Sequence, residues 1–111
     1  NYIDDDYRKY KLNYNVFPIH SVYQLYLASR AASSCLKGIN SDTLIIQDKN
    51  DSQVKKESAY ALYNGIASKN KELVWIEKGT HSLTLGPKHE EVFKQILEFI
   101  KSNYQNKAEI K

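Results

Sequence analysis

Thr43-Leu44-Ile45-Ile46 and Leu73-Val74-Trp75-Ile76 are two short runs, apolar on consecutive positions and rich in β-branched residues. Strands covered on both faces in a parallel sheet read this way. Between them, residues 56–68 carry Ala59, Leu62, Tyr63 and Ile66 at i, i+3, i+4 and i+7, the spacing of one helix face. A strand–helix–strand unit of this length makes a parallel pair with a right-handed crossover. The fold class is therefore α/β, a parallel βαβ unit with flanking helices. Two strands alone are a poor parallel sheet, because both faces are apolar and at least one edge is unpaired. Further strands are expected, from an N-terminal half of the fold, from another chain, or from a second copy in a homo-oligomer.

Upstream, Ser21-Val22-Tyr23-Gln24 has the pattern of a capping box. Val22, Leu25, Tyr26, Ser29, Ala32 and Leu36 follow at helical spacing, and Gly38 is a natural terminator. The run Ala31-Ala32-Ser33-Ser34 reads equally as a close-packing face or as plain helix, and Cys35 beside it as a buried thiol. Residues 1–20 form an irregular arm with Tyr2, Tyr7, Tyr10 and Tyr14 and the acidic cluster Asp4-Asp5-Asp6. Downstream, Pro87 suits the first turn of a last helix. Val92, Phe93, Ile96, Leu97 and Ile100 would face inwards until about Ser102. The expected organisation is arm 1–20, core 21–103 and frayed tail 104–111.

The chain has 111 residues, room for one domain. Sixteen Lys and Arg against 13 Asp and Glu give a net charge of +3, and the two signs are mixed along the chain, as in Lys55-Lys56-Glu57. A nucleic-acid partner is not expected, because such binders gather basic residues on one face among aromatics. No apolar run reaches the ~20 residues of a membrane span. One cysteine excludes an internal disulfide and a multi-cysteine zinc site. With no signal peptide visible, the expected location is cytoplasmic. The first residue is Asn1, not Met, which reads as processing or as part of a longer polypeptide.

In open parallel sheets, ligands bind beyond the carboxyl ends of the strands. Asp51 lies five residues past Ile46, and His81 five residues past Ile76. Loops of equal length from neighbouring strand ends can bring the carboxylate to the imidazole. An Asp accepting from His Nδ1 fixes the tautomer and stabilises the imidazolium formed when Nε2 takes a proton. That is two-thirds of a nucleophile–base–acid arrangement. His20 and His89 have no such partner and read as surface residues. Ser52 and Ser82 read as polar loop residues and Trp75 as core. A metal site built on Asp51, His81 and a third ligand has no supporting HxxxH or HxH spacing.

Residues 43–54 (Thr43-Leu44-Ile45-Ile46-Gln47-Asp48-Lys49-Asn50-Asp51-Ser52-Gln53-Val54), Glu57-Ser58-Ala59 and residues 71–82, ending Glu77-Lys78-Gly79-Thr80-His81-Ser82, resemble the C-terminal portion of an α/β-hydrolase. The likeness is to bacterial carboxylesterases and monoacylglycerol-lipase-like serine hydrolases. Residues 14–30, with Pro18 and Ser21-Val22-Tyr23-Gln24-Leu25, resemble the exit from that family's cap. The resemblance implies that this chain holds the C-terminal part of an α/β-hydrolase sheet. It assigns Asp51 as the catalytic acid and His81 as the general base, with no cofactor or metal and a small-molecule ester as substrate.

Two departures stand out. The family often has Gly where this chain has Asp48, so Asp48 competes with Asp51 for the acid; the register with Val54 and Ser58-Ala59 favours Asp51. The family's nucleophile sits in G-x-S-x-G, and none of Gly38, Gly65, Gly79 and Gly86 begins that motif. In the family's chain order the serine precedes the acid and histidine, so it is expected upstream of residue 1. The expected function is that of an ester-hydrolase fragment supplying the acid and histidine, inactive alone. The alternatives are a truncated, non-catalytic remnant acting as an interaction module, and an α/β-hydrolase acting on peptides, thioesters or lactones.

Overall fold

The computed structural model describes residue 16 and residues 18–109. Most of the expected arm, and the last two residues of the expected tail, lie outside the described residues. Five main elements follow in order: helix α1 (Ile19–Cys35), strand β1 (Thr43–Asp48), helix α2 (Lys56–Gly65), strand β2 (Lys71–Ile76) and helix α3 (His89–Glu109). A 3-10 turn, Leu36–Gly38, follows α1.

The two strands pair in parallel, from Thr43 opposite Lys71 to Asp48 opposite Ile76. Both are longer than the apolar runs suggest. β1 continues through Gln47 and Asp48, which are buried because their polar groups find partners. Gln47 Nε2 donates to the Val54 carbonyl at 2.8 Å, which offsets the cost of burying an amide. The order helix–strand–helix–strand–helix is the expected one, and the sheet is incomplete. Thr43–Ile46 is only half-buried, so the apolar positions of β1 are not covered on both sides within the described residues. Among the described residues the small core consists of Ala59, Ile66, Ile76 and Val92.

Helix α2 ends at Gly65, not at Ser68. Ile66 is extended and turns its side chain into the core, 5% exposed. Lys71 Nζ donates to the carbonyls of Tyr63 at 2.6 Å and Ile66 at 3.0 Å. A cation there satisfies orphan carbonyls and suits the negative end of the helix dipole. It also lies 4.9 Å from the centre of the Tyr63 ring. Trp75 is half-buried and packs on Tyr60, with ring centres 5.5 Å apart.

Helix α1 departs most from expectation. It starts at Ile19, with Pro18 as an extended N-cap. The Pro18 carbonyl accepts the Ser21 and Val22 amides at 3.0 and 3.2 Å, so Ser21 lies inside the helix and forms no capping box. Gly38 is not left-handed; the 3-10 turn closes the helix instead. No α1 residue is buried, so Ala31–Ser34 is not a packed face among the described residues. Cys35 is exposed, not a buried thiol.

Helix α3 begins two residues after Pro87 and persists to Glu109, beyond the expected end near Ser102 and through the region expected to fray. No Gly or Pro interrupts residues 103–109, so nothing local stops the helix. Its inward seam is Val92, Ile96, Phe99 and Asn103, at helical spacing. Phe93, Leu97 and Ile100, expected to face inwards, stay 50–57% exposed because the two-stranded sheet is too narrow to cover the whole stripe. Asn70 donates to Asn103 and ties this helix to the turn before β2.

Candidate functional site

The carboxyl ends of β1 and β2 open into the loops that carry Asp51 and His81. His81 Nδ1 lies 2.9 Å from Oδ2 and 3.2 Å from Oδ1 of Asp51. The two side chains differ sharply in exposure, 6% for Asp51 and 40% for His81. The acid is enclosed while the imidazole reaches solvent. Since a carboxylate can only accept, Nδ1 carries the proton and Nε2 is left as the basic nitrogen.

The sequence expectation of equal loops does not hold. β1 extends to Asp48, opposite Ile76, so Asp51 follows its strand by three residues and His81 by five. The longer loop meets the shorter because it folds back on itself. Lys78 and Thr80 both adopt left-handed backbone, at φ 60° and 69°. For a β-branched threonine this is a genuine outlier, and such residues cost about 1–3 kcal/mol each. The Thr80 hydroxyl is also buried without a hydrogen-bond partner.

Gly86 makes the fold-back possible. A Cβ there would collide with the Gly79 carbonyl oxygen and lie 2.8 Å from Thr80 Oγ1. Gly86→Ala is therefore expected to cost about 1–3 kcal/mol, as overpacking does. A thermal melt checks this: the variant should show a clearly lower Tm.

Asp51 is held by more than the imidazole. Its Oδ1 accepts the amides of Gln53 at 2.8 Å and Val54 at 2.9 Å, a local turn of the kind Asp favours. Burial alone would raise its pKa. The hydrogen bonds from His81, Val54 and Gln53, with the charge of His81, outweigh burial and hold the carboxyl below its ordinary value. The sign for stability follows. The folded chain binds this proton more weakly than the unfolded chain. Asp51 therefore contributes fully above the ordinary carboxylate range, about pH 4, and its contribution is lost as pH falls through the folded value. Asp51→Asn is expected to flatten that part of the acid limb when Tm is followed against pH. An unchanged limb would show that the carboxylate is not held in this way.

The competing acid, Asp48, is occupied elsewhere. It is 3% exposed; Oδ2 accepts the Gly79 amide at 2.5 Å and Oδ1 the Asn50 amide at 2.8 Å. One residue beyond the paired strand ends, Lys49 and Glu77 form a 2.6 Å ion pair between the two loops. Hydrogen bonding and charge from each partner raise the Lys49 pKa and lower that of Glu77. Both are well exposed, so this pair adds little stability.

Beside the pair lies a mainly apolar hollow of about 210 Å³, lined by Ile45, Val54, Ala59, Leu62, Leu83 and the two site residues among others. His20 and His89 are exposed, as expected. His89 Nδ1 donates to the Gly86 carbonyl at 2.9 Å. Among the described residues no group of three His, Cys, Asp or Glu side chains could hold a metal ion. No helix among them is long and apolar enough to cross a membrane. The sequence reading missed Asp48 as a brace, although Asp48-Lys49-Asn50 carries the signal of a side-chain-closed turn.

No family model matches the chain. It is 32% identical over 62 residues to a carboxylesterase of Bacillus subtilis (strain 168), covering 56% of this chain and 25% of that protein. A solved structure from work on LipS and LipT, two metagenome-derived lipolytic enzymes, superposes with a TM-score of 0.76 at 33% identity. That match covers 83% of this chain and 38% of the solved one. The chain thus spans a quarter of the curated relative and under two-fifths of the structural one. The fold is α/β-hydrolase-like, with an incomplete sheet, and the chain resembles the C-terminal portion of an esterase of that kind.

Proposed function

We propose that this chain supplies the acid and the general base of a carboxylic ester hydrolase, Asp51 and His81, acting on a nucleophilic serine in a segment that precedes residue 1. The observation that carries the proposal is the Asp51–His81 hydrogen bond at the carboxyl ends of two adjacent parallel strands. The likeness to a carboxylesterase and to a lipolytic enzyme points to the reaction class.

His81 Nε2 takes the proton of the serine hydroxyl as its oxygen bonds to the ester carbonyl carbon. The imidazolium is stabilised by Asp51. When the carbon–oxygen bond to the leaving alcohol breaks, Nε2 returns the proton to that alcohol, leaving an acyl-enzyme. Water then attacks the acyl carbon, giving its proton to Nε2, and the serine leaves with that proton. No metal or cofactor takes part.

The test is a substrate panel on the full-length protein: aryl esters of increasing acyl length, a thioester, a lactone and a peptide. Saturable ester turnover, abolished by a serine-directed fluorophosphonate, is the expected result. Absence of ester turnover, or turnover indifferent to that reagent, would overturn the reading. Preference for the thioester, lactone or peptide would keep the acid and base but change the substrate. Residues 1–111 alone contain no G-x-S-x-G and are expected to show no turnover above buffer. Turnover by this chain that disappears in His81→Ala would place the nucleophile within it.

A further inference from the structure

We infer that Asp48 is a positioning residue, a buried brace that sets the distance between the loop of the base and the loop of the acid. The inference rests on the reading of Asp51 and His81 as acid and base. Asp48 is the last residue of β1 and is almost fully enclosed. Its two oxygens hold different loops. Oδ2 accepts the amide of Gly79, two residues before His81, and Oδ1 accepts the amide of Asn50, one residue before Asp51. The Asp48 carbonyl also accepts the Asp51 amide at 3.3 Å. One residue is thus bonded immediately upstream of both functional side chains.

The geometry calls for a carboxylate here. Two backbone N–H groups approach different atoms at the end of one side chain, Asn50 at Oδ1 and Gly79 at Oδ2, so both positions have to be acceptors. Asparagine would turn its NH2 towards one of them and leave that amide unpaired in a buried place, a costly arrangement. The brace also answers a problem of the loop. Gly79 lies between the left-handed residues Lys78 and Thr80, a path that persists only when its surroundings over-determine it. Gly79 itself is buried, and a Cβ there would lie 2.8 Å from Ile76 Cγ2 and 3.3 Å from Asp48 Oδ2. The backbone has to pass this close for its amide to reach the carboxylate.

The experiment uses the full-length protein, labelled with 15N at histidine and at the backbone. In the unmodified protein the Gly79 amide is expected to exchange with solvent as slowly as the β2 amides. Fast exchange would overturn the inference without any variant. In Asp48→Asn, the 15N shifts of His81 should change from the Nδ1–H tautomer to a mixture. Ester turnover should fall on the order of a hundredfold in kcat with KM little changed, as misplacement of a reacting group by about 1 Å can do. Val92→Ala, in the core away from the loops, serves as a control of lowered stability. If both variants leave the His81 tautomer alike, Asp48 is only a structural residue and the inference fails. A wild-type protein with the His81 signature and slow Gly79 exchange but no esterase activity would count against the proposed reaction, not against the brace.

Discussion

Replacing His81 with alanine in the full-length protein is expected to lower kcat for an aryl ester by about a millionfold, with KM little altered. On the proposed mechanism the loss is that large because the serine hydroxyl is left with no acceptor for its proton. The side chain is 40% exposed and lies outside the small core, so the variant should fold normally. Circular dichroism and a Tm near that of the parent would confirm that the lost activity is chemical. A loss of less than about tenfold would remove His81 from the mechanism, since even ordinary general-base assistance is worth more.

Asp51→Asn should cost about 10⁴-fold, by a different route. Asparagine can keep an oxygen towards the Gln53 and Val54 amides, which hold Oδ1 at 2.8 and 2.9 Å. Its NH2 then faces His81 Nδ1, which becomes an acceptor. The proton moves to Nε2, the nitrogen that has to be free, and the base is present in the wrong tautomer. Kinetics on a soluble ester check the magnitude. A loss like that of an ordinary surface substitution would mean that the carboxylate neither orients nor stabilises the imidazole.

That Asp51 and His81 lie together was legible in the sequence because both follow the carboxyl ends of neighbouring parallel strands; Ile76 marked the end of β2, whereas β1 runs two residues past Ile46 to Asp48. The runs Thr43–Ile46 and Leu73–Ile76 identified the α/β class because apolar residues on consecutive positions suit strands of a parallel sheet. What stayed hidden depends on partners distant in sequence. Gln47 and Asp48 look like loop residues by polarity, yet they are strand because Val54 and Gly79 satisfy them. The left-handed backbone of Thr80 has no composition signal; it accompanies the close approach of Gly86 to the Gly79 carbonyl. Helix α1 carries a capping pattern that Pro18 makes redundant. The apolar stripe of α3 promised more contact than a two-stranded sheet can offer.

The register of the sheet also bears on the order in which the site forms. Only thirty positions separate His81 from Asp51, and α2 lies between them as the single crossover. Closing a loop of this length costs little more than closing one half as long, about 0.6 kcal/mol per doubling. Asp51 and His81 therefore meet in one short-range docking event, the parallel pairing of β1 with β2. Non-local strand pairing is the slow step of such units. A lesion that delays it, such as loss of the Lys71 cap on α2, delays both groups together and leaves neither waiting for the other.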